Sequence, residues 1–347
     1  MNYKPFGKLP SGKRLDRIKS SPNYRDGSFQ NLNETPMMVE GTSYVRLMRD
    51  YFFLKGIDRE PTELIPSVKT DLTYQQSEEP SIVWFGHSSY LIRMEGKTIL
   101  VDPVFGSRPS PFQFVGAKNY TVESSYTAED LPSLDLVIIT HDHYDHLDYQ
   151  TIVKLRNKVN KFIVALGVGE HLELWGIDKS KIKELDWWEG DVVFSGTELI
   201  ATPARHFSGR GFKRNQTLWN SFVLKTSHCS IFIGGDSGYD PAFQEIGQKL
   251  GPFDLAILEC GQYNTLWPYI HMMPEETAKA SLDLQARVFM PVHWGKFTLS
   301  MHPWKDPIER VMKMSKSLGA VITTPRIGET VFLDGDFPNV EWWSAIR

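Results

Sequence analysis

The sequence predicts an α+β fold in which an amino-terminal extension precedes one large domain, and three observations lead there. Short apolar runs such as Leu136-Val137-Ile138-Ile139 stop at polar turns, as buried strands do. These runs alternate with close, hairpin-like partners and also with longer helical stretches, a mixture that excludes a simple doubly wound sheet. Residues 1–79 lack that rhythm and read as polar turns, Arg/Lys-rich segments and one amphipathic helix from about Tyr44 to Leu54.

Taken in order, the extension offers Phe29, Met37, Met38, Tyr44 and Leu47 as apolar contacts and should wrap the core. The domain proper, residues 80–347, opens with strands expected at 82–85, 90–94, 98–101 and 136–139, then a helix over 149–158. Further strands are expected at 162–165, 192–195, 197–201, 221–226, 230–234 and 255–258. Helices are expected at 168–174, 241–249, 274–284 and 305–316, with Pro274 at a helix start, where its fixed φ is welcome. Strands at 287–292 and 320–322 complete the set, and the apolar and aromatic residues from Val331 to Trp343 should pack rather than dangle.

Composition sets bounds. With 347 residues, 41% of them hydrophobic, the chain can bury one large core or two closely packed ones. A formal net charge of -4 and no interleaving of basic and aromatic residues argue against a nucleic-acid partner. Cys229 and Cys260 read as two reduced thiols of a cytoplasmic protein. Met1 to Leu9 has no signal-like apolar core, and no stretch nears the roughly 20 apolar residues of a spanning helix. The expectation is a soluble protein, at most peripherally attached to a membrane.

The chemistry concentrates behind the 136–139 strand, in His141-Asp142-His143-Tyr144-Asp145-His146-Leu147-Asp148. Imidazole nitrogens and carboxylate oxygens both bind divalent ions, and strand ends are where active-site groups emerge. His141 and His143 reach one ion from a tight turn, while Asp145 and His146 face a second. Three more apolar strands each end in one donor, His206, Asp236 and His293. Singly, each would pass for a hydrogen-bonded structural group; the recurrence is the signal. His-rich ligation suits zinc, and the carboxylates also tolerate manganese or iron. His87 reads either as a hydrogen-bonding group of the site or as structural, and Asp148 either accepts from a ligand imidazole or caps the 149–158 helix. The basic stretch Ser208-Gly209-Arg210-Gly211-Phe212-Lys213-Arg214 meets an anion or is a solvated loop.

The pattern His141-x-His143-x-Asp145-His146 with His206, Asp236 and His293 resembles the metallo-beta-lactamase superfamily. Within it, the chain is most similar to the N-acyl-phosphatidylethanolamine-hydrolysing phospholipase D family. Supporting segments are Trp84-Phe85-Gly86-His87-Ser88-Ser89, Asp102-Pro103-Val104-Phe105, Glu184-Leu185-Asp186-Trp187-Trp188-Glu189 and Pro274-Glu275-Glu276. The resemblance implies a four-layer αββα fold with two divalent ions at one edge. His141, His143 and His206 would hold one ion, Asp145, His146 and His293 the other, and Asp236 would bridge them. A metal-bridging hydroxide would attack phosphorus, with Asp145, Asp236 and His271 as the catalytic residues. His271 would approach the phosphate, and Asp102 would orient an imidazole from beneath the metal loop. The implied substrate is a phospholipid or small phosphodiester, with membrane contact through the extension, where Tyr51-Phe52-Phe53-Leu54 is the candidate segment against a buried helix end. A homodimer is compatible with the pattern. Ala204-Arg205-His206-Phe207 and Asn264-Thr265-Leu266-Trp267 depart from the family pattern, which leaves two alternatives: a metal-dependent lactonase acting on a sugar-phosphate lactone or related ester, and a non-enzymatic metal-stabilised binding module.

Overall fold

The computed structural model describes residues 3–53, 58–73 and 79–347. Two sheets form the centre. The first comprises β3 (Ser81–Trp84), β4 (Tyr90–Met94), β5 (Lys97–Val101), β6 (Leu134–Ile139), β7 (Val159–Ala165), β8 (Ile182–Leu185) and β15 (Thr330–Phe332), in the order β15-β3-β4-β5-β6-β7-β8. The second comprises β9 (Gly190–Phe194), β10 (Thr197–Pro203), β11 (Asn220–Lys225), β12 (Ser230–Ile233), β13 (Phe253–Glu259) and β14 (Ala286–Val292), in the order β14-β13-β12-β11-β10-β9. A separate two-stranded hairpin, β1 (Tyr24–Arg25) and β2 (Ser28–Phe29), lies in the extension.

Period-two alternation explains how the layers stack. In β6, Leu136 and Ile138 join one core while Val137 and Ile139 join another, so both faces are buried and the strand reads as an unbroken apolar run. The core shared by Leu136 and Ile138 also takes in Leu199, Phe222, Ile231 and Ile257, so it fills the space between the sheets. On the outer face of the first sheet, Val137 and Ile139 pack with Ile152 and Leu155 of α3 (Tyr149–Leu155) and Leu172 of α4 (Gly169–Leu174). The second sheet is covered by α5 (Ala242–Leu250), α6 (Pro274–Asp283) and α7 (Asp306–Leu318) through Ile246, Ala278, Ile308 and Val311. The result is the four-layer αββα metallo-beta-lactamase fold, preceded by α1 (Gly12–Ser20) and α2 (Tyr44–Phe53).

Several local expectations need correction. The stretch 320–322 forms no strand, only an isolated bridge between Ile322 and Phe289, with the ladder to β14 limited to the Phe289 amide on the Val321 carbonyl and the Thr323 amide on the Phe289 carbonyl. The α3 helix ends at Leu155 rather than 158. Four strands among the described residues went unpredicted: β1 and β2 of the hairpin, β8 and β15. Within the extension, Phe29 and Ile18 of α1 are wholly buried and belong to the same apolar cluster as Val137 and Ile139. Of the Tyr51–Leu54 segment, Tyr51 is half-buried and its hydroxyl donates to the Thr298 carbonyl at 3.0 Å. Leu54 and the side chains of Phe52 and Phe53 lie outside the described residues. Val331, Trp342 and Trp343 are buried, so the carboxy-terminal stretch packs as expected.

Strand direction brings the chemistry to one edge. Strands β3, β5 and β6 of the first sheet run alike, as do β10, β12, β13 and β14 of the second. Their carboxyl ends deliver His87, Asp102, His141–His146, His206, Asp236, Glu259 and His293.

Candidate metal centre

Two groups of donors form where the sheet edges meet. His141, His143, His206 and Asp236 place ligand atoms within 4.8 Å of one another, and so do His87, Asp145, His146 and His293. Local backbone geometry makes this possible. Gly235, at φ +60°, ends the β12 turn; a Cβ there would come within 3.0 Å of the Asn220 carbonyl and of Thr140, so only glycine lets Asp236 turn inward. His87, Asp102 and His293 also adopt positive φ, a conformation that non-glycine residues keep only when their surroundings enforce it.

The outer nitrogens of the imidazoles are tied down. His146 Nδ1 lies 2.7 Å from Asp102 Oδ2, His206 Nδ1 lies 2.7 Å from the Ile270 carbonyl, and His141 Nδ1 lies 3.0 Å from Thr140 Oγ1. An Nδ1–H donated to Asp102 or to Ile270 leaves Nε2 as a lone pair aimed inward. His293 Nδ1 lies 3.0 Å from Ser88 Oγ. Asp102 also accepts from the Thr140 amide and hydroxyl, at 2.8 and 2.6 Å, and so braces the start of the donor loop.

Among the described residues the inward atoms satisfy one another only in part. His141 Nε2 and His206 Nε2 both approach His143 Nδ1, at 2.9 and 3.2 Å, and His146 Nε2 and Asp236 Oδ1 are buried without a hydrogen-bond partner. One neutral His143 ring can donate Nδ1–H to only one of the two nitrogens facing it, and the lone pairs left over suit a divalent cation. Burial pushes the His141, His206 and His293 imidazoles well below their ordinary range, and His143 below it, which keeps them neutral and able to ligate. His146 goes the other way: burial opposes its charge, but Asp236, Asp145 and Asp102 outweigh burial and hold it well up. The same negative field would favour a cation on that lone pair, which a metal takes in competition with a proton. Despite their burial, Asp145 and Asp236 are held down by the surrounding imidazoles and stay ionised. The donor set thus fits two divalent cations.

Beside it lies a pair of different character. Glu259, the last residue of β13, is almost wholly buried and accepts from His271 Nδ1 at 2.8 Å and from the Met272 and Ser237 amides at 3.0 and 3.3 Å. Burial raises Glu259 to about 7, while Glu259 raises His271 to about 9 against the burial that would lower it. Glu259 and His271 also group with Asp236 and His293 as donors, and the bond between them takes up His271 Nδ1 and one Glu259 oxygen. Sequence reasoning found His271 and missed Glu259; the available signal was an acid closing an otherwise apolar strand.

The structure places the remaining residues as follows. His87 is wholly buried, with Nε2 3.0 Å from Asp145 Oδ2, so it braces that carboxylate while lying among the second group of donors. Asp148 caps α3, accepting from the Gln150 and Thr151 amides at 3.2 Å, and touches no imidazole. The basic stretch does not offer Arg210 to an anion, because its guanidinium is buried and donates to the carbonyls of Asp142, Leu147 and Pro5. Arg205 is likewise engaged, with Thr35 and the Glu34 carbonyl. Trp187 and Trp219 belong to the outer core, whereas Phe207, unpredicted, lies 4.4 Å from the His143 ring. Within the donor set, His143, Asp145 and His271 retain partial exposure and mark the mouth.

Fold and donor set together define a metal-dependent hydrolase of the metallo-beta-lactamase fold. The model of the beta-lactamase superfamily domain matches residues 97–294, and the chain belongs to that superfamily. An uncharacterized protein of Mycobacterium tuberculosis is 39% identical over 329 residues, covering 94% of this chain and 88% of that one. N-acyl-phosphatidylethanolamine-hydrolyzing phospholipase D 1 of Caenorhabditis elegans is 31% identical over 335 residues, covering 91% and 92%. Among solved structures, Igni18, a metallo hydrolase of the archaeon Ignicoccus hospitalis, superposes with a TM-score of 0.55 at 23% identity, covering 73% of this chain and 97% of that one, and shares the fold.

Proposed function

We propose that the chain is a phosphodiesterase whose substrate is an anionic diester of the N-acyl-phosphatidylethanolamine type. The observation that carries this reading is the His271–Glu259 pair, an imidazole held at the mouth of the metal centre with its outer nitrogen 2.8 Å from a buried carboxylate. The relative from C. elegans, named for hydrolysing N-acyl-phosphatidylethanolamine, points to the same substrate class.

In this reading His141, His143 and His206 hold one ion, Asp145, His146 and His293 the other, and Asp236 faces both. Two such ions, zinc by the imidazole-rich donor set, would supply Lewis acidity and a hydroxide nucleophile at neutral pH. His87 fixes the rotamer of Asp145, and Asp102 that of His146. The His271 imidazolium counters negative charge on the phosphoryl oxygens and passes its Nε2 proton to the departing alkoxide, while Nδ1–H stays with Glu259. The alkoxide leaves as an N-acylethanolamine and the phosphate remains as phosphatidic acid.

The test is elemental analysis of the purified protein together with hydrolysis of bis(4-nitrophenyl) phosphate before and after chelation. About two ions per chain with chelator-sensitive turnover supports the reading and leads to N-acyl phospholipids as substrates. Two ions without turnover on any phosphodiester would favour lactone hydrolysis, and absence of metal after reconstitution would overturn the mechanism.

A further inference from the structure

Away from the metal centre, a cleft of about 750 Å³ opens between the amino-terminal segment and the loop that follows His206. Its walls include Tyr3, Phe6, Leu9 and Phe212. These side chains are 49%, 41%, 46% and 110% exposed, the last a phenyl ring standing wholly in water. The apolar surface continues beyond the cleft. Tyr3 stacks on Phe112 at 5.3 Å, Phe112 contacts Phe114 at 5.6 Å, and Phe114 is 79% exposed beside the half-exposed Val115. Contiguous apolar exposure of this kind marks an interaction surface, whereas isolated exposed residues do not.

The charge along the segments that form it is one-sided. Residues 3–14, 105–119 and 207–217 carry nine lysines and arginines and no aspartate or glutamate, in a chain whose net charge is -4. Lys8 and Arg14 are answered by Glu170, Glu173 and Glu184. Lys4, Lys213 and Arg214 are exposed and form no ion pair among the described residues.

We propose that this face docks on an anionic lipid bilayer, with the Phe114 and Phe212 rings seated among acyl chains and Lys4, Lys213 and Arg214 at the head-group phosphates. Aromatic residues projecting from loops that also carry cations outside any ion pair match the head-group boundary, where apolar burial and attraction to anionic lipid add. The proposal does not depend on which ester the metal centre cleaves. Docking would bring the cleft floor, formed in part by Asp142 between the donors His141 and His143, close to the lipid.

The test is co-sedimentation of the full chain with vesicles of phosphatidylcholine alone and of phosphatidylcholine mixed with phosphatidylglycerol. Binding is expected only to the anionic vesicles and should weaken as salt rises. The double variant F114S/F212S and the single variant K213E should each lower vesicle affinity roughly tenfold, with metal content and melting temperature unchanged. Equal binding to both vesicle types, or variants that bind as the parent does, would overturn the proposal. So would a parent that ignores vesicles but self-associates through Phe114 and Phe212, which would make the face an interface between copies.

Discussion

Asp102 Oδ2 lies 2.7 Å from His146 Nδ1 and 2.6 Å from Thr140 Oγ1, so one oxygen serves both a donor imidazole and the strand end that launches the donor loop. An asparagine cannot reproduce this. Whichever way its amide is turned, the NH₂ group faces a donor, either the Thr140 amide or the pair of His146 and Thr140 hydroxyl. Asp102→Asn should therefore weaken metal retention about 10- to 100-fold, measured as ions per chain after dialysis against graded chelator. Retention equal to the parent's would remove Asp102 from the orienting role.

Glu259 acts through His271. Glu259→Gln and His271→Ala should each lower turnover about 10²- to 10⁴-fold with metal content near normal. The informative measurement is the double variant. If Glu259 works only by holding the imidazole, combining the two costs no more than the larger single loss, whereas additive losses would mean separate roles.

Acid should destabilise the fold partly through His302. This imidazole stacks on Tyr263 at 4.5 Å, and its Nε2 accepts from the Gln262 amide at 2.9 Å, which requires the neutral form. Burial lowers it to about 4. With the folded value below the unfolded one near 6.5, the unfolded chain binds the proton first. Stability is therefore full above about pH 6.5 and is lost as pH falls toward 4, by at most roughly 3 kcal/mol. Replacing His302 with Gln, whose amide oxygen can accept from Gln262, should flatten the acid limb of the stability curve measured against the parent. Parallel curves would show that His302 contributes nothing.

Gly235→Ala tests the turn that aims Asp236. The new methyl would meet the Asn220 carbonyl and Thr140 at 3.0 Å in a left-handed conformation, at a cost of roughly 1–3 kcal/mol. A lower melting temperature accompanied by loss of metal is expected; an unchanged melting temperature would show that the turn yields freely.

The donors that close a strand were legible because their signal is local: an apolar run buried on both faces, as in β6, then a polar residue at the edge. Elements at the rims of the sheets carried less. β8 and β15 flank the first sheet, and the Ile182-Lys183-Glu184-Leu185 and Thr330-Val331-Phe332 runs are too short and too polar to stand out. Conversely, Ala320-Val321-Ile322 has strand composition but meets β14 only at the single Ile322–Phe289 bridge. Glu259 and Arg210 were missed or misread for another reason. A buried charge gets its meaning from partners distant in the chain, His271 for the one and the carbonyls of Pro5, Asp142 and Leu147 for the other, and no window of sequence holds both sides.

The donors divide between the sheets: His87, Asp102 and the 141–146 loop come from the first, His206, Asp236 and His293 from the second. The two are also stitched at this edge by the His87 amide to the Trp294 carbonyl and the His293 amide to the His87 carbonyl, at 2.9 and 3.0 Å. Ions bound by both halves would act as a clasp on the hinge of a sandwich, with affinity for the docked state alone. Metal binding and sheet docking are then thermodynamically linked, each strengthening the other by the same free energy, and chelation would loosen the cooperativity with which the two halves unfold as well as remove the ions.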